Sequence, residues 1–284
     1  MSKRGFCIGA LTDVGNVKKV NQDGILVKVG GGTQGEFGLF VVADGMGGLA
    51  AGERASNIIV EGLDYWWKNN LSLILCKNEN VELSVIDQEL NSVIKEINKR
   101  IIDFGFSINE KVGSTLSVLF IYGNTYIIKH IGDSRIYLLN DSVRKLTEDH
   151  SWVAQQVQEG KISPEEAKSH PKRNVLTRCA GVIADIKIFE LSGEIRPSDD
   201  FLLCSDGFYN FLDEEEIFNS ISGCKKQDKD IQESLIELLE KVKSRGAHDN
   251  VSAIVICQYF DSYVNNVFGI KKLMKKITNA FGRW

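Results

Sequence analysis

The sequence predicts an α+β fold in which two mainly antiparallel β-sheets pack face to face with helices outside them. Residues 115–122 and 125–131 form apolar runs on either side of Gly123-Asn124, a strong β-hairpin signal. Helical patterns cluster in separate stretches instead of alternating with single strands, which disfavours a parallel βαβ sheet. The chain has 284 residues, of which 43% are hydrophobic and 25% charged, so one large core is feasible.

The first half of the chain predicts one buried strand and two helices before the hairpin. Residues 37–43 are an apolar run that ends at Asp44. Apolar residues recur at helical spacing in 51–66 and again in 86–101. We expect the stretch 69–80 between these helices to be a loop.

The second half predicts another hairpin, a polar helical excursion and a final strand. Residues 136–139 and 143–146 flank Asn140-Asp141. Residues 150–181 are polar and contain Ser163-Pro164, a helix start with proline at the first helical position. The remaining predicted elements are a strand at 201–204, helices at 213–220 and 231–243, and a strand at 251–256.

Composition disfavours several classes of protein. The net charge is −4, from 34 Lys+Arg and 38 Asp+Glu, so nucleic acid is not an expected partner. The six cysteines include no CxxC pair, which disfavours a cysteine zinc site and favours free thiols. The N-terminus does not resemble a signal peptide, and no apolar run reaches about 18 residues. We therefore predict a cytoplasmic protein.

Three aspartates share one setting. Asp44, Asp206 and Asp249 each stand beside a predicted buried strand, and Asp44 opens the glycine-rich run 44–48. One Asp-Gly after a strand is a common turn, but three in this setting favour a site. Converging carboxylates repel one another unless a cation lies among them, and hard oxygen ligands suit Mg²⁺ or Mn²⁺. Two such ions can activate a water molecule, and the carbonyl of Gly45 is available as a further ligand.

Six segments then occur in the order typical of one family. They are Lys18-Lys19-Val20-Asn21-Gln22-Asp23, Val42-Ala43-Asp44-Gly45-Met46-Gly47-Gly48, Gly113-Ser114-Thr115, Ile131-Gly132-Asp133-Ser134-Arg135, Leu203-Cys204-Ser205-Asp206-Gly207 and His248-Asp249-Asn250. From about Gly5 to Tyr259 the chain resembles the PPM (PP2C-like) metal-dependent protein serine/threonine phosphatases, bacterial branch. The resemblance implies a four-layer αββα sandwich at 1–259, with a flap-like region at about 150–181.

The resemblance also implies the metal ligands of Mn²⁺ or Mg²⁺. Asp44 would bridge two ions with the Gly45 carbonyl on one of them, and Asp206 and Asp249 would hold the other. Asp23 would bind ion-bound water. Asp133 would join Asp206 at a third, weaker site.

For Asp133, and for Asn250 in the last of the six segments, more than one role is open. A turn and salt-bridge role with Arg135 explains Asp133 as well as a ligand role does. Asn250 is expected to fix a loop or a water molecule, and a structural role suits it equally.

One position departs from the family pattern. Lys18 stands where the family usually places an arginine that grips the substrate phosphate. Lysine keeps the charge but loses the planar two-pronged contact, so we expect weaker phosphate binding. The alternative is that Lys18 is an exposed surface lysine.

The proton donor to the leaving group is left unassigned, because Met46 and Leu49 stand where relatives carry histidine. The four histidines, His130, His150, His170 and His248, are expected to be structural, and Cys204 is expected to be buried.

The resulting hypothesis is a phosphatase that hydrolyses phosphoserine and phosphothreonine on proteins by attack of a metal-bridging hydroxide. Its partners would be phosphorylated proteins and a serine/threonine kinase that it opposes. The alternative, which only Lys18 supports, is a catalytically silent regulatory binding protein of the same fold. A two-metal nuclease is disfavoured by the acidic chain.

The last predicted element is a basic amphipathic helix at 260–284, with apolar residues at helical spacing and lysines on the complementary faces. We expect it to pack on its own catalytic domain, with a peripheral membrane or partner contact as the alternative.

Overall fold

The computed structural model describes residues 3–33, 35–47, 51–77, 82–227 and 229–260. Leu49 and nearly all of the predicted C-terminal helix lie outside these ranges. The strands are β1 Arg4–Asp13, β2 Asp23–Gly32, β3 Gly35–Met46, β4 Gly113–Ser114, β5 Leu116–Tyr122, β6 Thr125–Ile131, β7 Arg135–Leu139, β8 Val143–Lys145, β9 Phe189–Glu194, β10 Asp200–Cys204 and β11 Val251–Phe260. The helices are α1 Ala51–Trp66, α2 Ser72–Lys77, α3 Leu83–Ile108, α4 Trp152–Gln158, α5 Pro164–Ser169, α6 Asp206–Tyr209, α7 Glu214–Gln227 and α8 Ile231–Ser244.

The strands form two antiparallel layers. The first has the order β8-β7-β10-β11-β1, and the second has β2-β3-β5-β6-β9 with β4 paired to the end of β3. The layers meet at one parallel pair, Arg4 with Gly35. The predicted pair of mainly antiparallel sheets is confirmed.

Three apolar cores separate four layers. Between the sheets, Phe40 packs edge-on against Phe6 at 5.9 Å between ring centroids, and Tyr126 packs against Phe201 at 5.3 Å. The outer face of the second sheet packs against α1 and α3, and that of the first packs against α7 and α8. Both faces of each sheet are thus covered, which explains the continuous apolar runs in the sequence. The predicted αββα sandwich is confirmed.

The predicted loop at 69–80 is wrong over most of its length. The chain continues α1 through a π-helical turn, Trp67–Leu71, and then forms α2. Polar residues suggested a loop, but Leu71 is buried and Ile74 and Leu75 pack on the core beside α1 and α3. Tertiary packing therefore overrides local composition here.

Within the described residues, none of the helices is long and apolar enough to span a bilayer. The 26-residue α3 is amphipathic, with buried residues such as Leu90 and Ile97 on one face only.

Candidate active site

Strand β3 carries Asp44 and Gly45 to one end of the sandwich. The strand continues to Met46 and does not end at Asp44 as the apolar run suggested. Asp23 begins β2 and lies directly opposite Asp44 in the antiparallel pair. Because such cross-strand neighbours have Cβ atoms about 5 Å apart, these two carboxylates are close.

The first sheet brings two more aspartates to the same end. Asp206 follows β10 and starts α6, while Asp249 precedes the neighbouring strand β11. The Ser205 N–H donates to the Ser252 carbonyl, and the Ser252 N–H donates to the Ser205 hydroxyl, both at 3.0 Å. A Cβ at Gly207 would lie 2.0 Å from the Asn250 carbonyl oxygen, so glycine is required for this close approach.

A cleft of about 240 Å³ opens where the two sheets end. Of the residues singled out from the sequence, it is lined by Lys18, Asp44, Gly45, Asp133, Asp206 and Asp249. Asp23 lies beside Asp44 but is not part of the lining. The other lining residues are Gln22, Met46, Gly47 and Thr115, which belong to the segments quoted from the sequence, and Asn174 and Leu176 of the flap, to which the sequence assigned no role.

Burial, together with repulsion between neighbouring carboxylates, raises the pKa values of the aspartates in the cleft. Burial, with neighbouring carboxylates led by Asp23, raises the pKa of Asp44 well above its usual value. Burial raises the pKa of Asp23 to about 7, although the hydroxyls of Ser252 and Ser205 oppose the shift. Burial and the charge of Asp206 raise the pKa of Asp133 to about 7.

Asp206 completes this group, because burial and the charge of Asp249 raise its pKa to about 6. A bound cation would stabilise the ionised form of these carboxyl groups and relieve their mutual repulsion.

The donor set fits a hard divalent cation. The Oδ1 atom of Asp206 is buried and has no hydrogen-bond partner in the described part of the chain. The lining offers carboxylates and the Gly45 carbonyl, which are ligands that Mg²⁺ and Mn²⁺ accept. No three acidic, histidine or cysteine side chains among the described residues form a complete metal site in this conformation. An ion would therefore have to draw the carboxylates together.

Lys18 lines the cleft and contributes a positive charge to it. Its Nζ lies 3.0 Å from Oδ1 of Asp249, and its side chain is 41% exposed. Partial burial lowers the pKa of Lys18, but hydrogen bonding and attraction to Asp249, with Asp44 and Asp206 behind it, give a net increase. Lys18 is therefore a charged cleft residue, although it also faces solvent.

Asn250 holds the loop that carries Lys18. Its Nδ2 donates to the carbonyls of Val14 at 3.0 Å and Val20 at 3.1 Å, and its Oδ1 accepts from the Gln22 N–H at 2.9 Å. The structural role considered for Asn250 matches this geometry.

The loop carrying Asp133 is held from several sides. The Gly132 N–H donates to Nδ1 of His150 at 3.0 Å, and the His150 N–H donates back to the Gly132 carbonyl at 2.7 Å. The hydroxyls of Ser134 and Thr115 lie 2.8 Å apart, and Thr115 also accepts from the Asp44 N–H at 2.9 Å.

The salt bridge considered for Asp133 is wrong. Arg135 forms its ion pair with Asp149, with Nη2 and Oδ2 2.7 Å apart. Asp149 lies just before the flap and binds this guanidinium. The carboxylate of Asp133 is left to line the cleft with Asp206.

The histidines and Cys204 occupy structural positions. His130 is buried against Ser117, and burial lowers its pKa to about 3. His170 packs on Trp152 and His248 on Phe211. Cys204 is fully buried in the core beneath α7 and α8, as predicted.

The flap reaches the cleft through uncharged residues. Asn174 and Leu176 line the opening. Two basic residues of the flap lie against other side chains, since Nζ of Lys172 lies 4.7 Å from the Trp152 ring centroid and Nη1 of Arg178 lies 3.3 Å from Nε2 of His150. No sequence signal distinguished Asn174 from its charged neighbours.

An αββα sandwich with an acidic cleft at one end of its sheets, and with oxygen donors for divalent cations, defines a class of hydrolytic phosphatases. A family model described as Protein phosphatase 2C matches residues 16–240. The chain belongs to the protein phosphatase 2C family.

Relatives and solved structures agree with this assignment. The serine/threonine phosphatase stp of Listeria innocua is 33% identical over 251 residues, which covers 86% of this chain and 93% of the relative. The protein phosphatase PstP of Mycobacterium tuberculosis is 33% identical over 247 residues, covering 87% of this chain and 44% of the relative. The S. agalactiae serine/threonine phosphatase has a TM-score of 0.78 and 29% identity, covering 89% of this chain and 99% of that one.

A structure of the PstP catalytic domain in complex with 2 manganese ions has a TM-score of 0.73 and 28% identity, covering 90% of this chain and 99% of that one.

Proposed function

We propose that this chain hydrolyses phosphoserine and phosphothreonine on proteins with the help of Mn²⁺ or Mg²⁺. The observation that carries the proposal is the convergence of Asp44, Asp133, Asp206 and Asp249 with Lys18 on one cleft. The named phosphatase relatives, and a neighbour solved with 2 manganese ions, support the same reaction.

The ligands proposed for the ions are Asp44, the Gly45 carbonyl, Asp206 and Asp249, with Asp133 and Asp206 at a third site. When bound, such ions supply a water nucleophile of lowered pKa and neutralise charge on the phosphoryl oxygens. The Oδ1 atom of Asp206, which is buried and has no hydrogen-bond partner among the described residues, supports the assignment of Asp206 as a ligand.

The side chains of the cleft perform the other tasks. Lys18 binds a phosphate oxygen through Nζ as a point charge. Asp23 lies opposite Asp44 in the β2–β3 pair, where its carboxylate would hold an ion-bound water molecule. Asn174 and Leu176 bring an amide and an apolar side chain to the opening, where the peptide around the phosphorylated residue would lie.

The partners that follow are phosphorylated proteins and a serine/threonine kinase with opposite activity. Residues 1–259 form the proposed catalytic domain. The comparisons give no support to a catalytically silent regulator, because the matched relatives are named as phosphatases.

The test is phosphate release from a phosphothreonine peptide by the full chain. We expect activity with Mn²⁺, none with chelator, and a loss of at least about 100-fold in Asp206→Asn. Asp141→Asn is the matched control, because Asp141 is exposed at the tip of the β7–β8 hairpin. A folded wild type without activity in any metal would overturn the proposal, as would full activity in Asp206→Asn.

A further inference from the structure

Tyr209 connects two of the segments that bring carboxylates to the cleft. It is the last residue of α6, the short helix that Asp206 begins. Its phenol O–H donates to the main-chain carbonyl of Asp133 at 3.0 Å. One side chain thus links the β10–α6 junction to the loop between β6 and β7.

The ring of Tyr209 is held in place by a fixed cation. The guanidinium carbon of Arg135 lies 3.7 Å from the ring centroid, within the range of a cation–π contact. Arg135 is itself bound by Asp149, and its Nη1 donates to the Tyr137 hydroxyl at 3.0 Å. The direction of the Tyr209 hydroxyl is therefore set before any ion or substrate enters.

The rest of the Asp133 loop is fastened to other elements. His150 binds Gly132 from the flap side, and the Ser134 hydroxyl binds Thr115 at the start of the β5 strand. These contacts fix the loop relative to the second sheet and the flap. The Tyr209 hydrogen bond fixes it relative to Asp206.

We propose that Tyr209 is a positioning residue that sets the spacing between the Asp133 and Asp206 carboxylates, and thereby the affinity for the divalent ion that these two residues share. This inference rests on the proposed function. Tyr209 acts through the backbone of Asp133, and it lines neither the cleft nor the phosphate position.

The test is Tyr209→Phe, which removes the hydroxyl and keeps the ring against Arg135. The matched control is Tyr137→Phe, which removes a phenol hydroxyl that accepts a hydrogen bond from the same Arg135 and makes none with Asp133 within the described part of the chain. Mn²⁺ binding to the full chain is measured by titration calorimetry, and phosphopeptide hydrolysis is measured against Mn²⁺ concentration. Melting temperature in chelator checks that each variant is folded.

We expect the weakest Mn²⁺ site to lose about five-fold in affinity in Tyr209→Phe, as for the loss of one hydrogen bond. The Mn²⁺ concentration for half-maximal rate rises by the same factor. The rate recovers at saturating Mn²⁺, and KM for the phosphopeptide is unchanged. Tyr137→Phe should bind Mn²⁺ like the wild type.

Unchanged Mn²⁺ affinity in Tyr209→Phe would overturn the inference, and so would an equal loss in Tyr137→Phe. Asp206→Asn separates this failure from failure of the proposed function. If Asp206→Asn loses Mn²⁺ while Tyr209→Phe does not, only the role of Tyr209 is wrong. If Asp206→Asn keeps both Mn²⁺ binding and activity, the proposed site is wrong as well.

Discussion

Lys18 holds its ammonium group 3.0 Å from the Asp249 carboxylate, inside a cleft that otherwise collects negative charge. A lysine gives a phosphate one compact, strongly hydrated charge, whereas an arginine gives two parallel N–H donors. The same position can therefore bind phosphate with either residue but with different strength. The identity of this one side chain should therefore set how tightly the cleft binds the substrate phosphate.

Lys18→Arg should tighten substrate binding. We expect KM for a phosphothreonine peptide to fall about 3- to 10-fold, because a bidentate contact replaces a single one. The value of kcat should change less than about two-fold. Lys19→Arg is the control, since Lys19 is an exposed neighbour that does not line the cleft. Steady-state kinetics at saturating Mn²⁺ measure both, and an equal KM in the two variants would show that Lys18 does not contact the phosphate.

The sequence predicted the acidic residues of the cleft better than their surroundings. Asp44, Asp206 and Asp249 could be found because each adjoins an apolar strand, and strands of packed sheets end together. Asn174 and Leu176 gave no such signal, because their positions depend on how the flap folds against the cleft. Tyr209 was equally hidden, since its partner is a backbone carbonyl 76 positions away.

At the scale of elements, Asn98 of α3 secures the end of the flap. Its side chain is buried, with 1% exposure. Its Nδ2 donates to the carbonyl of Ile183 at 2.9 Å, and its Oδ1 accepts from the Gly181 N–H at 2.7 Å. One amide thus replaces the backbone pairing that this irregular segment lacks.

Asn98→Leu should destabilise the protein by about 2–4 kcal/mol, because it leaves buried backbone groups without partners. Asn91→Leu on the same helix is the control. Asn91 is only partly buried and donates to the Glu190 carboxylate, so we expect a loss below about 1 kcal/mol. Urea unfolding of both variants measures the difference. Similar losses of stability in the two variants would show that the hydrogen bonds of Asn98 stabilise the protein no more than the contact between Asn91 and Glu190 does.

Helices and strands with a strong local sequence pattern were predictable, whereas strands that are ordered mainly by pairing with neighbouring strands were not. Helix α3 and the hairpin at Gly123-Asn124 carry local signals, a 3.6-residue repeat and a turn pair, and both are present. Strands β1 and β2 were not predicted. Strand β2 contains Gly24 and ends in three glycines, and it is ordered by ten residue pairs with β3. Pairing of this kind leaves no local pattern in the sequence and can be recognised only when the position of the partner strand is known.

Over the whole molecule, two groups of buried side chains respond to pH in opposite ways. The folded-state pKa values of Asp23 and Asp133 lie near 7, above the ordinary value near 4, so protonation favours the folded state as pH falls. Burial lowers the pKa of His130 to about 3 and that of His150 to about 4, below the ordinary value near 6.5. These histidines are neutral when folded, so they reduce stability as pH falls below about 6.5.

The difference in stability with and without Mn²⁺ should report the pH dependence of the carboxyl groups alone, because the histidines contribute equally in both conditions. Ions displace protons from Asp44, Asp133 and Asp206, so Mn²⁺ should stabilise the protein more at pH 8 than at pH 6. We expect the stabilisation to fall by up to about 1.4 kcal/mol per pH unit for each proton displaced. The measurement is the free energy of unfolding in chelator and in fixed Mn²⁺ across this range. Asp206→Asn removes one of the displaced protons, so the stabilisation by Mn²⁺ should depend less steeply on pH in this variant. A stabilisation that is independent of pH in the wild type would mean that the ions bind carboxylates already ionised in the metal-free protein.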